Sequence, residues 1–186
     1  MCNSSFILQV DLSVGDSLAY CKINSRPYIV VMNAKPPNPP PSKSGRKPPW
    51  TGCPTRYVAG IIGDKWCFVL LRDILLHGKR FYSEFLASPE GISTNILADR
   101  LAKLEDAGML QRETDPRKGS RVCYFPTQKS RALLPAFLGM MVWSTQFDTE
   151  TEAPDSFASA FLDDPTATVK WYEAEIERVD AEIRQG

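Results

Sequence analysis

The chain has 186 residues, 43% of them hydrophobic and 24% charged. That composition fits a soluble globular protein with room for one ordinary domain and some appendages. Lys plus Arg and Asp plus Glu each number 22, so the formal net charge is zero, which taken alone argues against a nucleic-acid binder. Five cysteines, odd in number, widely spaced and without a C-x-x-C pair, argue against a disulfide framework or a zinc site. The longest apolar run, 66–71, is far short of a membrane span.

The neutral total hides a gradient. Residues 1–50 carry six basic and two acidic side chains, residues 51–147 thirteen and nine, and residues 148–186 three and eleven. This pattern suggests a basic working domain with an acidic appendage. The N-terminus lacks the charged and apolar regions of a signal peptide, so a cytoplasmic, nucleoid-associated location is expected. Residues 1–34 form a poorly defined extension in which 28–32 suits a short strand. Met32, just before the linker, is a candidate alternative to Met1 as the translation start. Residues 35–50 hold seven of the fifteen prolines and four basic residues, which predicts an extended linker.

The dense part of the chain begins at Cys53-Pro54, where the proline suits the first turn of a helix. Tyr57, Val58, Ile61 and Ile62 form an amphipathic stripe ending at Gly63. Asp64 is placed to cap a second helix running through Leu76 and stopped by Gly78. A short third helix follows, with Phe81, Phe85 and Leu86 facing inward. In the fourth helix, Ser93 is the expected N-cap, Leu97, Leu101 and Leu104 are the buried face, and Gly108 ends the helix. Residues 109–113 and 121–125 pattern as strands around the turn-rich TDPRKGS, which predicts a hairpin. A further apolar helix from Thr127 to Trp143 is bent or split by Pro135. Residues 148–165 are acidic and turn-rich, and a loop is expected there. Val169, Tyr172, Ile176, Val179 and Ile183 then form an a/d stripe on a terminal helix.

Helix, helix, short helix, helix, hairpin, helix is the order of a winged helix-turn-helix. The fold class is therefore mainly α with a small β-hairpin wing, spanning 51–147 and followed by the acidic tail 148–186. The polar face of the 93–107 helix carries mostly small residues, which lets it enter a major groove where Asn and Arg read base edges. Ser93 and Thr94 at its N-terminus suit a phosphate, and Asn95, Arg100 and Lys103 lie on or beside the reading face. Arg117 and Lys118 at the hairpin tip, with Arg121 on the return strand, are candidate backbone or minor-groove contacts. Lys79 and Arg80 are a second candidate phosphate clamp.

From Cys53 to about Trp143 the chain resembles the HxlR family of bacterial winged-helix transcriptional regulators, relatives of the MarR type. The resemblance rests on CP at 53–54, IIGDKW at 61–66, GKRFYSEF at 78–85, GISTNILADRLAKLEDAGML at 91–110, and Tyr124 with Thr127. It implies a homodimer joined through terminal helices that binds an inverted-repeat promoter operator in double-stranded DNA and acts as a repressor. It also implies that the cysteine at position 53 can sense oxidants or electrophiles.

Several readings compete with these assignments. Ser93, Thr94 and Asn95 can serve capping alone, and Arg100 can pair with Asp99 or Glu105. Arg117, Lys118 and Arg121 can be ordinary solvated charge. Cys67 and Cys123 fit core positions. Trp143, Met140 and Met141 suit either a small-molecule effector pocket or dimer packing. With His77 as the one histidine, no phosphate loop and no cofactor motif, no reaction is expected. Two alternatives to an operator-binding regulator stay open: a thiol-based sensor acting through Cys53, and a winged-helix protein-interaction module that does not bind DNA.

Overall fold

A computed structural model describes residues 52–185, together with the backbone of residues 9–11, 19–23 and 26–30. The proline-rich linker at 35–50 and Met32 lie outside the described residues. Near the N-terminus, β1 (Gln9–Asp11), β2 (Ala19–Ile23) and β3 (Arg26–Val30) form an antiparallel sheet in that order. The single strand expected at 28–32 is thus the last of three.

Two helices open the dense region. α1 (Pro54–Ile62) carries its proline in the first turn, as expected. α2 (Lys65–Leu75) is capped by Asp64, whose carboxylate accepts from the N–H groups of Trp66 and Cys67, both at 3.1 Å. Gly78 ends the connection with φ +66°, a left-handed conformation that favours glycine.

The helix-turn-helix follows as α3 (Tyr82–Leu86) and α4 (Thr94–Asp106). Glu84 in the first turn of α3 reaches back to accept from the N–H groups of Arg80 at 2.8 Å and Phe81 at 2.9 Å, so the third residue of the helix closes its own N-terminus. Leu97, Leu101 and Leu104 of α4 are buried, and Gly108 terminates the helix at φ +68°. Leu86 departs from expectation: it is exposed, because a helix of five residues buries one narrow stripe, here Phe85.

β4 (Leu110–Thr114) and β5 (Val122–Pro126) form the hairpin, paired from Leu110↔Pro126 to Thr114↔Val122. Each strand lies one residue C-terminal to its expected position. A bridge from Phe81 to Cys123 adds a third edge to this small sheet. Pro135 splits the next helix into α5 (Gln128–Arg131) and α6 (Leu134–Thr145). The stretch expected to be a loop contains α7 (Asp155–Asp163), since Phe157 and Phe161 lie one turn apart on one face within its acidic surroundings. α8 (Pro165–Gln185) completes the chain.

The fold divides into two compact units. Among the described residues, one holds β1–β3, α7 and most of α6, and the other holds residues 52–134 and 166–185. The core of the second unit is made by Ile61, Cys67, Leu70, Leu71, Ile74, Leu75, Phe85, Leu97, Leu101, Leu104, Leu110 and Phe125, all buried. In the first unit, Trp143 and Phe147 are exposed and tilt against each other with ring centroids 5.4 Å apart. Among the described residues no helix is long and apolar enough to cross a membrane.

Candidate nucleic-acid interface

The outward face of α4 carries Thr94, Asn95, Ala98, Asp99 and Ala102, all exposed and mostly small. Ser93 occupies the N-cap with extended backbone, and its side chain makes no capping bond. Its hydroxyl and the first-turn N–H groups of α4 are therefore presented outward. Tyr82 anchors this end: its hydroxyl donates to the Thr94 carbonyl at 2.8 Å. The far end is held from α5, where the Lys129 ammonium donates to the Ala107 carbonyl at 2.6 Å and the Thr127 hydroxyl to the Gly108 carbonyl at 2.7 Å. Ser130 also donates to the Met109 carbonyl. Tyr82 was not singled out in the sequence; a tyrosine opening the helix before the glycine-serine turn was the available signal.

Arg100 is partly withdrawn from this face. Its Nε donates to Asp64 Oδ1 at 2.8 Å and its Nη2 to Asp64 Oδ2 at 3.1 Å, while Nη1 contacts Asp99. The Arg100 guanidinium holds the Asp64 carboxyl well below the usual carboxylate range, at about 2. Arg100 thus ties α4 to the cap of α2, a partner absent from its expected pairs. Lys103, half-buried, stays beside the face.

Lys79 is held elsewhere. Its ammonium donates to Asp73 Oδ2 at 2.8 Å and to the Ser88 hydroxyl at 2.6 Å. Asp73, fully buried, also accepts from Arg72 Nη2 at 2.6 Å and the Ser88 hydroxyl at 2.5 Å. Burial works to raise the Asp73 pKa, but the hydrogen bonds from Lys79, Ser88 and Arg72 outweigh it and hold the carboxyl below its ordinary value.

Arg80 requires a correction. It was expected to clamp a phosphate, yet its side chain is 0% exposed and cannot reach one. Nε donates to Asp180 Oδ1 at 2.8 Å, and Nη1 donates to the Ile74 carbonyl at 2.7 Å and the Lys79 carbonyl at 2.9 Å. Nη2 finds no acceptor among the described residues. Burial pushes the Arg80 pKa down.

At the wing tip, Arg117 and Lys118 are exposed and Arg121 is half-buried. The tip is organised by Asp115, a buried carboxylate that the sequence reading passed over. Its Oδ1 accepts from the Arg117 N–H at 2.9 Å, its backbone N–H donates to the Arg121 carbonyl at 2.8 Å, and its carbonyl accepts from the Lys118 N–H at 3.2 Å. The following Pro116 was the turn signal available. The Arg121 guanidinium lies 3.3 Å from the Phe81 ring centroid. It borders an open cleft of about 420 Å³ that Tyr82, Ser83, Ser120, Val122 and Tyr124 also line. Among the described residues no carboxylate lines this cleft, which separates α3 from the wing, and Arg121 Nη1 lies 3.9 Å from Asp115 Oδ2 behind it.

Cys53 stands exposed at the N-cap of α1, and hydrogen bonding from the Arg56 backbone N–H lowers its thiol pKa. Cys67 and Cys123 are buried, and burial raises the Cys67 thiol to about 11.

The model of the HxlR-like helix-turn-helix family matches residues 61–152. An uncharacterized HTH-type transcriptional regulator of Synechocystis sp. is 33% identical over 88 residues, covering 47% of this chain and 64% of that protein. This chain therefore spans just under two thirds of that relative's length. The HTH-type transcriptional regulator YodB of Bacillus subtilis is 31% identical over 98 residues, covering 52% of this chain and 87% of YodB. The solved structure of reduced YodB is similar to this one with a TM-score of 0.44 at 29% identity, over 54% of this chain and 99% of that one. The matched segment contains α2, α3, α4 and the wing. On the family match and the sequence identity to these regulators, the chain belongs to the HxlR-like helix-turn-helix family.

Proposed function

We propose that the chain binds a promoter operator in double-stranded DNA as a homodimer and represses transcription from it. The observation that carries this reading is the outward face of α4, whose side chains at Thr94, Asn95, Ala98 and Ala102 are small and exposed. Side chains of that size let a helix sit deep in a major groove, and an asparagine such as Asn95 is a residue type that reads an adenine edge. The basic tip at Arg117 and Lys118 supplies contacts to the neighbouring backbone. Exposed Trp143 on α6 and Phe147 just beyond its end offer apolar surface for a second copy to cover.

Footprinting on the gene's flanking intergenic DNA tests the reading. Protection of two half-sites centred about 10–10.5 base pairs, or a multiple of that, apart is the expected result. Uniform weak protection of all DNA would overturn it. Asn95→Ala is expected to cost about 1–3 kcal/mol of discrimination at particular base pairs. An equal loss on operator and random DNA would remove Asn95 from the reading set.

A second reading is favoured by Cys53, exposed and with a lowered pKa at a helix N-terminus. In it, oxidation or alkylation of this thiol changes DNA affinity. Peroxide or a quinone should then weaken DNA binding by the wild type and leave Cys53→Ser unaffected. Equal responses of the two proteins would eliminate Cys53 as the sensor.

A further inference from the structure

The family match ends at residue 152, yet α8, beginning at Pro165, is built into the winged domain. Val169, Ile176, Asp180 and Ile183 of α8 are buried. Three sets of contacts lead from this helix to the wing, one to each strand of the small sheet.

The first runs through Arg80. Asp180 holds the Arg80 side chain at 2.8 Å and, through its other oxygen, Arg131 of α5 at 2.7 Å. The Arg80 carbonyl in turn accepts from the Tyr124 N–H of β5 at 2.8 Å, beside the bridge between Phe81 and Cys123. The residue that α8 grips by its side chain therefore forms the third edge of the wing sheet by its backbone. The second set is apolar: Ile183 is buried with Phe81, Cys123 and Phe125, and Val179 packs against that cluster. Val179 also lies 3.3 Å from the place a Cβ would occupy on Gly78. The third set is polar. Arg184 donates to Glu113 of β4, from Nη2 at 2.7 Å and Nε at 3.2 Å, and its guanidinium sits 4.2 Å from the Phe125 ring centroid on β5.

We propose that α8 is the back support of the wing, and that Arg184, Glu113 and Asp180 are positioning residues that hold the hairpin at the angle its basic tip needs to meet DNA beside α4. Phe81 links the support to the working surface, since the ring buried with Ile183 also carries the Arg121 guanidinium. The DNA part of this inference rests on the operator reading above; the mechanical part does not.

The test uses the full chain with Arg184→Glu, Glu113→Arg and the two together. The single variants place like charges at the contact, and the double variant restores an opposite pair. Amide hydrogen exchange in the DNA-free protein is expected to accelerate about threefold to tenfold across 110–126 in each single variant and to return in the double, with 97–106 unchanged throughout. Affinity for the footprinted fragment should fall and recover in the same order. Unchanged exchange in the wing, or failure of the double variant to rescue it, overturns the support. Altered exchange with unchanged DNA affinity overturns the positioning role. If the wild type binds no DNA while exchange shifts and is rescued, the operator reading falls and the mechanical support stands.

Discussion

Replacing Asp180 with alanine is expected to cost about 3–5 kcal/mol of folding stability. Asp180 is 4% exposed and neutralises Arg80, 0% exposed, together with Arg131. Without the carboxylate, the buried Arg80 guanidinium loses its counter-ion, whereas Arg131 is partly exposed and keeps Glu177 at 3.6 Å. Arg80 is the one that cannot turn away, since its Nη1 is also committed to two backbone carbonyls. Urea unfolding gives the measurement: the midpoint should fall with an unchanged slope. Arg80→Met combined with Asp180→Leu removes both charges and should cost less than Asp180→Ala alone, because the penalty lies in the uncompensated ion. A loss below about 1 kcal/mol for Asp180→Ala would mean that Arg80 has another route to neutralisation or to solvent.

The second large effect concerns the wing. Changing Arg117, Lys118 and Arg121 together to alanine should reduce the slope of log affinity against log salt by about 2.7 if each side chain neutralises one phosphate. The loss should be nearly the same on operator and random DNA, because contacts of this kind carry no sequence information. A slope reduced by only about 1.8 would point to two contacts. Arg121 would be the one to drop, since its guanidinium is stacked on Phe81 and is the least exposed of the three. An unchanged slope would remove the wing from the interface altogether. Asp115→Ala is a useful companion because it leaves all three positive charges in place while removing the carboxylate that orders the turn.

The winged helix-turn-helix was legible in the sequence because its signals are local. Pro54, Asp64, Ser93 and Gly108 mark helix ends within two residues of where they fall, and the Leu97, Leu101, Leu104 stripe needs only a period of 3.6 to be read as a buried face. Arg80 was misread because what decides its role lies 100 positions away. A basic residue entering a helix next to a recognition element looks like a phosphate contact until Asp180 is placed against it. Arg100 was half-legible: a salt bridge was foreseen, but its main partner, Asp64, lies 36 positions distant rather than on its own helix. The apolar stripe of α8 was correctly located, whereas spacing alone could not say whether it meets a second copy or its own wing. α7 was hidden by acidic and turn-forming neighbours whose average character outweighed two phenylalanines.

The zero net charge takes a different meaning from these contacts. Among the acidic residues of the tail, Asp180 is consumed by buried Arg80 and half-buried Arg131. Glu175 and Glu182 pair with Arg178 on their own helix.

The clamping of α4 at both ends, by Tyr82 at its start and by Lys129 and Thr127 at its finish, has a kinetic consequence. If α4 reads DNA, a helix already fixed in the free protein has little ordering left to lose when it docks, and encounter would require no folding step. Differences between good and poor operators would then appear in how long the complex lasts rather than in how fast it forms. Promoter selectivity would thus be a matter of residence time.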